Sequence, residues 1–186
     1  MANTLNGKTA VTGIGETQYS RGTDKSSIGL MLEASIKAIH DAVELPIIVY
    51  NVPGRTVIDI DAETVARIAT LERVVGIKDA TGDMARISRH RALIDSDFAQ
   101  LSGDDPSALG FNATGGVGAI SVTSNVAPAL CAQFQDATLS GDWDTARQLN
   151  DRLMPLALAP FTSSSPGPNK YAMVVSYVHT TAKSPA

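Results

Sequence analysis

The sequence predicts an α/β fold in which parallel strands alternate with helices, as in an incomplete (β/α)8 barrel. Two apolar runs, residues 45–50 and 74–77, each end in a polar cluster rich in turn-forming residues. Between them, residues 61–71 carry Val65, Ile68 and Ala69 on one helical face, behind Asp61 as a candidate N-cap. Strand, helix and strand at this spacing form a βαβ unit, so the two strands are expected to be parallel.

The same alternation continues along the rest of the chain. Beyond the βαβ unit, the pattern predicts a helix over residues 84–96, a strand over 98–102, a short helix after Pro106, a strand over 119–122 and helices over 126–139 and 143–159. A further helix is predicted over residues 26–42, after a strand-like start. The chain therefore supplies about four to five βα units, where a complete barrel has eight.

Three polar side chains follow the two strands of the βαβ unit. Tyr50 and Arg55 come at the end of the first strand, and Lys78 ends the second. Ligand sites of parallel α/β folds lie at the carboxyl edge of the sheet, so these groups are expected to converge. Burial favours the neutral amine of a lysine, the form that attacks a carbonyl to make a Schiff base. From spacing alone, the alternative is an ordinary strand-end lysine that snorkels or forms a salt bridge.

Composition excludes several other functions. The net charge of −4 gives no electrostatic case for binding nucleic acid or an anionic membrane. The single cysteine, Cys131, excludes an intrachain disulfide and is predicted to be a small core residue of a helix. The three histidines lie far apart, so no metal site is expected. Neither a membrane-spanning run nor a signal region is found, and a cytoplasmic protein is expected.

Two glycine-rich stretches do not fit nucleotide sites. Residues 12–16 lack the third glycine of a dinucleotide fingerprint, because position 18 is glutamine. Residues 115–118 precede a strand instead of opening a helix, and no Gly-Lys-Ser/Thr follows them. Their glycines are better explained by close approach of the backbone to a small ligand or by tight packing at a barrel rim.

Residues 45–171 resemble the C-terminal half of the dihydrodipicolinate synthase family, pyruvate-dependent class I aldolases with a TIM-barrel fold. The motifs that carry this resemblance are Y-N-V-P-G-R-T at residues 50–56, G-I-K-D-A-T-G-D at 76–83, S-G-D-D at 102–105, the stretch 115–125, and S-P-G-P-N-K-Y-A at 165–172. Their order and separations match the family, and the arginine of the first motif resembles the synthase more than its sugar-acid aldolase relatives.

The resemblance implies a role for each of five residues. Lys78 would form the imine with pyruvate, and Tyr50 would relay protons to the imine and hydrogen-bond the pyruvate carboxylate. Arg55 would hold the carboxylate of aspartate semialdehyde. Gly103 and Ile120 would line the pyruvate pocket. The product would be 4-hydroxy-tetrahydrodipicolinate, at the entry to lysine biosynthesis, and no metal or organic cofactor is implied.

The chain also departs from the family. The family's first four βα units should precede residue 45 and supply a Gly-Thr-Thr-Gly-Glu loop and a second tyrosine, yet only 44 residues stand there. Residues 8–22 instead resemble the amino end of a thiolase-like protein, without the cysteine and histidines that a thiolase needs downstream. The expected organisation is a thiolase-like segment over residues 1–44, half of an aldolase barrel over 45–178, and a frayed tail over 179–186.

Two main hypotheses follow, together with a weaker third. The first is a Schiff-base lyase that condenses pyruvate with aspartate semialdehyde, weakened by truncation. The second is a non-catalytic fragment or assembly module that pairs with another barrel half. Bare sheet edges in either case predict self-association into a homo-oligomer. The third is an aldolase that joins pyruvate to a different aldehyde.

Overall fold

The computed structural model describes residues 26–94, 97–159 and 166–182. Within these ranges the elements are α1 (Ser27–Ala42), β1 (Ile47–Asn51), α2 (Pro53–Thr56), α3 (Ala62–Ile68), β2 (Val74–Asp79), α4 (Ala85–Leu93), β3 (Ala99–Ser102), α5 (Ala108–Ala113), a 3-10 turn (Thr123–Asn125), α6 (Pro128–Ser140), α7 (Trp143–Leu158) and α8 (Gly167–Ala182). The strand-like start predicted before α1, and the thiolase-like residues 8–22, lie outside the described residues.

The described strands form one parallel sheet in the order β1-β2-β3. In its register Tyr50 pairs with Lys78, and Asn51 pairs with Asp79. Asp79 in turn pairs with Ser102 of β3. The predicted βαβ unit is therefore confirmed, and the ends of all three strands meet at one edge of the sheet.

One face of the sheet packs against helices. Val49 of β1 forms a buried cluster with Ile68 of α3 and Val74, and Ile36 of α1 packs against it. The predicted N-cap of α3 is present, because the backbone N–H of Thr64 donates a 2.6 Å hydrogen bond to the Asp61 carboxylate. This cover fixes which side of each strand faces the core and leaves the alternate residues on the opposite face.

A second core joins α5, α6 and α7. Cys131 lies in this cluster beside Phe134 and Leu153, so the prediction of a small core cysteine is confirmed. Helix α6 ends at Gly141, which has a φ of 81° in the left-handed region that glycine tolerates best. Helix α8 continues to Ala182, across the predicted boundary between residues 178 and 179.

The predicted fourth strand is only partly formed. Residues 119–122 contribute a single isolated bridge, between Ser102 and Ala119, and a 3-10 turn follows. The backbone N–H groups of Val122 and Thr123 donate to a carboxylate oxygen of Asp105, at 3.0 and 2.8 Å, instead of extending a ladder. Capture by a side chain thus ends the extended segment after one bridge.

In the helix predicted over residues 84–96, the apolar residues Ile87, Leu93 and Ile94 predict the buried face, and this prediction is only partly right. Ile87 is buried as expected, whereas Leu93 is 47% exposed. The other buried positions are Arg86 and His90, which periodicity alone would have assigned to the solvent side. Arg86 donates to three acceptors inside the fold, which offsets the cost of burying it, whereas His90 has a partner at Nδ1 but none at its buried Nε2 among the described residues.

His90 makes the stability of this unit dependent on pH. Its Nδ1 lies 3.1 Å from Oε1 of Gln100, and burial lowers the pKa of the imidazole below its ordinary value of 6.5. The unfolded chain therefore binds more protons just below pH 6.5 than the folded one, so the stabilisation from His90 is complete above that pH and is lost as the pH falls. We expect the free energy of unfolding, measured by urea titration, to drop by up to about 1.4 kcal/mol per pH unit in this window. The same titration of His90→Gln should show a flatter profile; an unchanged profile would contradict the assignment.

Candidate active site

Tyr50 and Lys78 face each other on the side of the sheet opposite the helices. They are register partners on β1 and β2, and Nζ of Lys78 lies 3.9 Å from the centroid of the Tyr50 ring. When the amine is protonated it is attracted to the aromatic face, and the contact places the Lys78 side chain beside the ring. Tyr50 is 47% exposed and Lys78 is half-buried, so the amine remains accessible to a small solute.

Gly103 lies directly against the Lys78 side chain. A Cβ built on Gly103 would stand 3.0 Å from Cε and 3.1 Å from Cγ of Lys78, and 2.9 Å from Cβ of Ala80. The backbone N–H of Gly103 donates a 2.7 Å hydrogen bond to the carbonyl of Asp79. The missing side chain thus leaves the space in which the lysine stem lies.

Ile120 belongs to the same face of the sheet. Its backbone N–H donates to the carbonyl of Ser102 at 2.9 Å, while Ala119 and Ser121 on either side line a cavity among the helices. Because successive extended residues point to opposite faces, Ile120 points toward the side that holds Lys78. It is 44% exposed there.

Arg55 lies in α2, directly beyond the end of β1. Its side chain is exposed, and no carboxylate within the described ranges pairs with it. The helix ends at Val57, whose φ of 61° is a rare conformation for a β-branched residue. Arg55 therefore lies at the sheet edge shared by Tyr50 and Lys78, with its guanidinium free to bind an anion.

A cavity among the helices is not the candidate site. A cavity of about 260 Å³ lies among α5, α6 and α7 and is lined by Asp105, Cys131 and Leu153, among others. Neither Lys78, Tyr50 nor Arg55 reaches it. The predicted site residues lie on an open surface, which is the geometry of a barrel interior without its opposite wall.

Polar residues behind the site escaped the sequence reasoning. Asp79 accepts hydrogen bonds from the backbone N–H and the hydroxyl of Thr81, at 2.8 and 2.6 Å. It also accepts one from Nε of the buried Arg86 guanidinium, at 3.0 Å. Two patterns could have indicated these buried polar residues: the Asp-x-Thr sequence after a strand, and the four-residue spacing that places Arg86 and His90 on one helix face. Both patterns are weak indicators unless the buried face of the helix is already known.

Other chemistry finds little support in the described part of the chain. Burial, with the nearby negative charge of Asp105, raises the pKa of the Cys131 thiol, which disfavours its reactive thiolate. No group of three or more metal-ligating side chains is found among the described residues. None of the helices in these ranges is both long enough and apolar enough to cross a bilayer.

Comparison with known proteins places these features in a family. Residues 31–186 match the family model described as "Dihydrodipicolinate synthetase family". The chain is 58% identical over 139 residues to the 4-hydroxy-tetrahydrodipicolinate synthase of Parvibaculum lavamentivorans, which covers 75% of this chain and 48% of that protein. It is 60% identical over 139 residues to the synthase of Hyphomonas neptunium, covering 74% of this chain and 47% of the relative.

Solved structures give the same result. The chloride-inhibited dihydrodipicolinate synthase of Acinetobacter baumannii, complexed with pyruvate, superposes with a TM-score of 0.76 at 39% identity, covering 82% of this chain and 52% of that one. The enzyme of Thermotoga maritima gives a TM-score of 0.75 at 38% identity, covering 82% and 53%. The chain spans about half the length of the relatives it matches, and the prediction of a partial barrel is confirmed. The family match begins at residue 31, within α1.

Proposed function

Because this chain belongs to the dihydrodipicolinate synthetase family, we propose that it carries the pyruvate half-site of a Schiff-base lyase. The amine of Lys78 attacks the ketone carbon of pyruvate, water leaves, and an imine forms. Loss of a methyl proton gives an enamine, whose carbon attacks the aldehyde of aspartate semialdehyde. The amino group that came from aspartate semialdehyde then attacks the imine carbon, which closes the ring, releases the amine of Lys78 and gives 4-hydroxy-tetrahydrodipicolinate. We place this chemistry in the cytoplasm.

The juxtaposition of Lys78, Tyr50 and Gly103 is the observation that carries this proposal. The amine is held against the ring of Tyr50, beside the space left by Gly103, at the carboxyl edge of a parallel sheet. Holding a nucleophile in one place reduces the entropic cost of reaction with a bound ketone. Ile120, on the same face of the sheet, would line the pyruvate pocket.

Imine formation and full turnover make different demands on the chain. Imine formation needs an accessible amine and an anchor for the pyruvate carboxylate. Turnover also needs the proton relay, and groups that act as a unit lose several orders of magnitude in rate when one is absent. Trapping of the imine with borohydride therefore tests the proposal more directly than turnover does.

Arg55→Ala tests the proposed aldehyde substrate. We expect this variant to keep the pyruvate adduct but to lose about 10- to 100-fold in the rate of condensation with aspartate semialdehyde, because a charge-assisted contact to a carboxylate contributes about 1.5–3 kcal/mol. The measurement is single-turnover mass spectrometry of the pyruvate-loaded chain after the aldehyde is added. Arg147→Ala, which removes an arginine from an exposed pair on α7, is the matched control. Equal condensation rates in both variants would favour an aldolase with a different aldehyde.

The uncovered face of the sheet favours the assembly module as a second candidate. Ile48, Tyr50 and Ile120 are 45%, 47% and 44% exposed on this face. Contiguous apolar exposure is typical of an interface, and unpaired strand edges favour pairing with another chain. In this second candidate, another copy or a complementary barrel half covers the face, and Lys78 makes no imine.

A further inference from the structure

Arg86 is a buried arginine on the side of the sheet away from Lys78. Its Nε donates to Asp79 at 3.0 Å and its Nη1 donates to Asp59 at 2.8 Å. Its Nη2 donates to the carbonyl of Ile60. One guanidinium thus joins helix α4, the end of β2 and the loop that follows α2.

The same network reaches the end of β1 through Asn51. The amide nitrogen of Asn51 donates to the second carboxylate oxygen of Asp59 at 2.8 Å, and the backbone N–H of Ile60 donates to the amide oxygen of Asn51 at 3.2 Å. Asp59 therefore bridges Asn51 and Arg86. Asn51 is 1% exposed, so its position is set by these contacts and not by solvent.

The residues that this network holds are the neighbours of the proposed catalytic pair. Asn51 follows Tyr50, Asp79 follows Lys78, and the two pairs lie in consecutive register. Because side chains alternate along a strand, fixing Asn51 and Asp79 on the helix side fixes the direction in which Tyr50 and Lys78 leave the other side. The backbone bond from Ala80 to the carbonyl of Asn51, at 2.9 Å, joins the two strand ends.

We propose that Arg86 is a positioning residue that holds Lys78 over the ring of Tyr50 through Asp79, Asp59 and Asn51. The inference rests on the proposed function in assigning the amine to pyruvate. Arginine suits this role because its planar donors reach three acceptors in fixed directions, which the ammonium of a lysine does not reproduce. Without the guanidinium, the buried Asp79 carboxylate keeps its hydrogen bonds from Thr81 but loses the positive charge that balances its own. The end of β2 must then shift so that water can reach the carboxylate.

The test compares Arg86→Met and Arg86→Lys with Arg89→Met. Arg89 lies on the same helix and pairs with Glu63 at 2.9 Å, but both side chains are more than half exposed, so this control removes an arginine without touching the network. The first readout is the proton chemical shift of the Lys78 ε-methylene, assigned by its absence in Lys78→Ala. A group held over the Tyr50 ring is shifted by the ring current, whether or not pyruvate binds.

We expect the ring-current shift in the unaltered chain and in Arg89→Met, and its loss in folded Arg86→Met. Arg86→Lys should keep only part of the ring-current shift, because lysine retains the positive charge but not the planar set of donors. A full shift in both Arg86 variants, or no shift in the unaltered chain, would overturn the proposal. The free energy of unfolding alone would not distinguish the two roles, since replacing a purely structural arginine would lower it too.

The second readout is the rate of pyruvate trapping by borohydride at saturating pyruvate, per folded chain. Misplacement of the amine should lower this maximal rate by about ten-fold or more. The pyruvate concentration that gives half of the maximal rate should change little. Trapping at the unaltered rate in both Arg86 variants would contradict the proposal. If the unaltered chain makes no adduct but the shift still depends on Arg86, the proposed function fails and the positioning role stands.

Discussion

Lys78→Ala is expected to lose the borohydride-trapped pyruvate adduct completely. The adduct needs a primary amine that can stay close to a bound ketone, and Lys78 is the amine held at the carboxyl edge of the sheet. The other lysines in the described ranges, Lys37 and Lys170, lie on helices α1 and α8. Removing a nucleophile commonly lowers a rate by several orders of magnitude, so the loss should be complete on any practical time scale. The measurement is intact mass after incubation with pyruvate and borohydride.

Lys37→Ala is the matched control for this substitution. Lys37 is paired with Asp41 at 2.6 Å on an exposed part of α1, far from the strand ends in sequence. Its loss should leave the adduct unchanged. Equal labelling of the Lys78→Ala and unaltered proteins would show that pyruvate reacts with surface amines and that the assignment of Lys78 is wrong.

Gly103→Ala is expected to produce the second largest loss. The new methyl group would stand 2.9–3.1 Å from Ala80 and the stem of Lys78, closer than carbon atoms pack without strain. Ala80 has no rotamer to change, so the Lys78 side chain would be displaced, and the amine would move off the Tyr50 ring. We expect the trapping rate to fall by about 10- to 100-fold and the free energy of unfolding by about 1–3 kcal/mol. Trapping kinetics and urea denaturation measure the two effects separately.

Gly167→Ala provides the comparison. A Cβ at Gly167, at the start of α8, would meet no atom within 4 Å, so this variant should keep both the trapping rate and the stability. If Gly103→Ala trapped pyruvate at the unaltered rate, the Lys78 side chain could adopt another reactive position. The close approach of Gly103 to Lys78 would then have no functional consequence.

The parts of the fold that could be predicted are those whose signals are local. The runs around Tyr50 and Lys78 are apolar and end in turn-forming residues, and the Asp61 cap precedes an amphipathic segment. These features determine the βαβ unit and, through it, the edge that holds the proposed site. The assignment of Gly103 and Ile120 to the site depends only on resemblance to a family, because nothing in their local sequence indicates such a role.

The errors arose where a distant residue overrides a local preference. Residues 119–122 have the composition of a strand, but Asp105 accepts hydrogen bonds from the backbone N–H groups of Val122 and Thr123, and the ladder ends there. Arg86 and His90 carry polar side chains, yet Asp79, Asp59 and Gln100 supply partners that allow them to be buried. Hydropathy periodicity contains no information about such partners, so it places Ile87 of α4 correctly in the core but misses Arg86 and His90.

Intact mass of the unaltered chain after incubation with pyruvate and borohydride distinguishes a Schiff-base lyase from a non-catalytic assembly module. We expect one reduced pyruvyl group per chain, located by peptide mapping on the segment that contains Lys78. A folded chain without an adduct, or an adduct on a different lysine, would contradict it. In that case the uncovered sheet face around Ile48 and Ile120 would be the functional feature of the molecule, and assembly with another barrel half would be the function that remains.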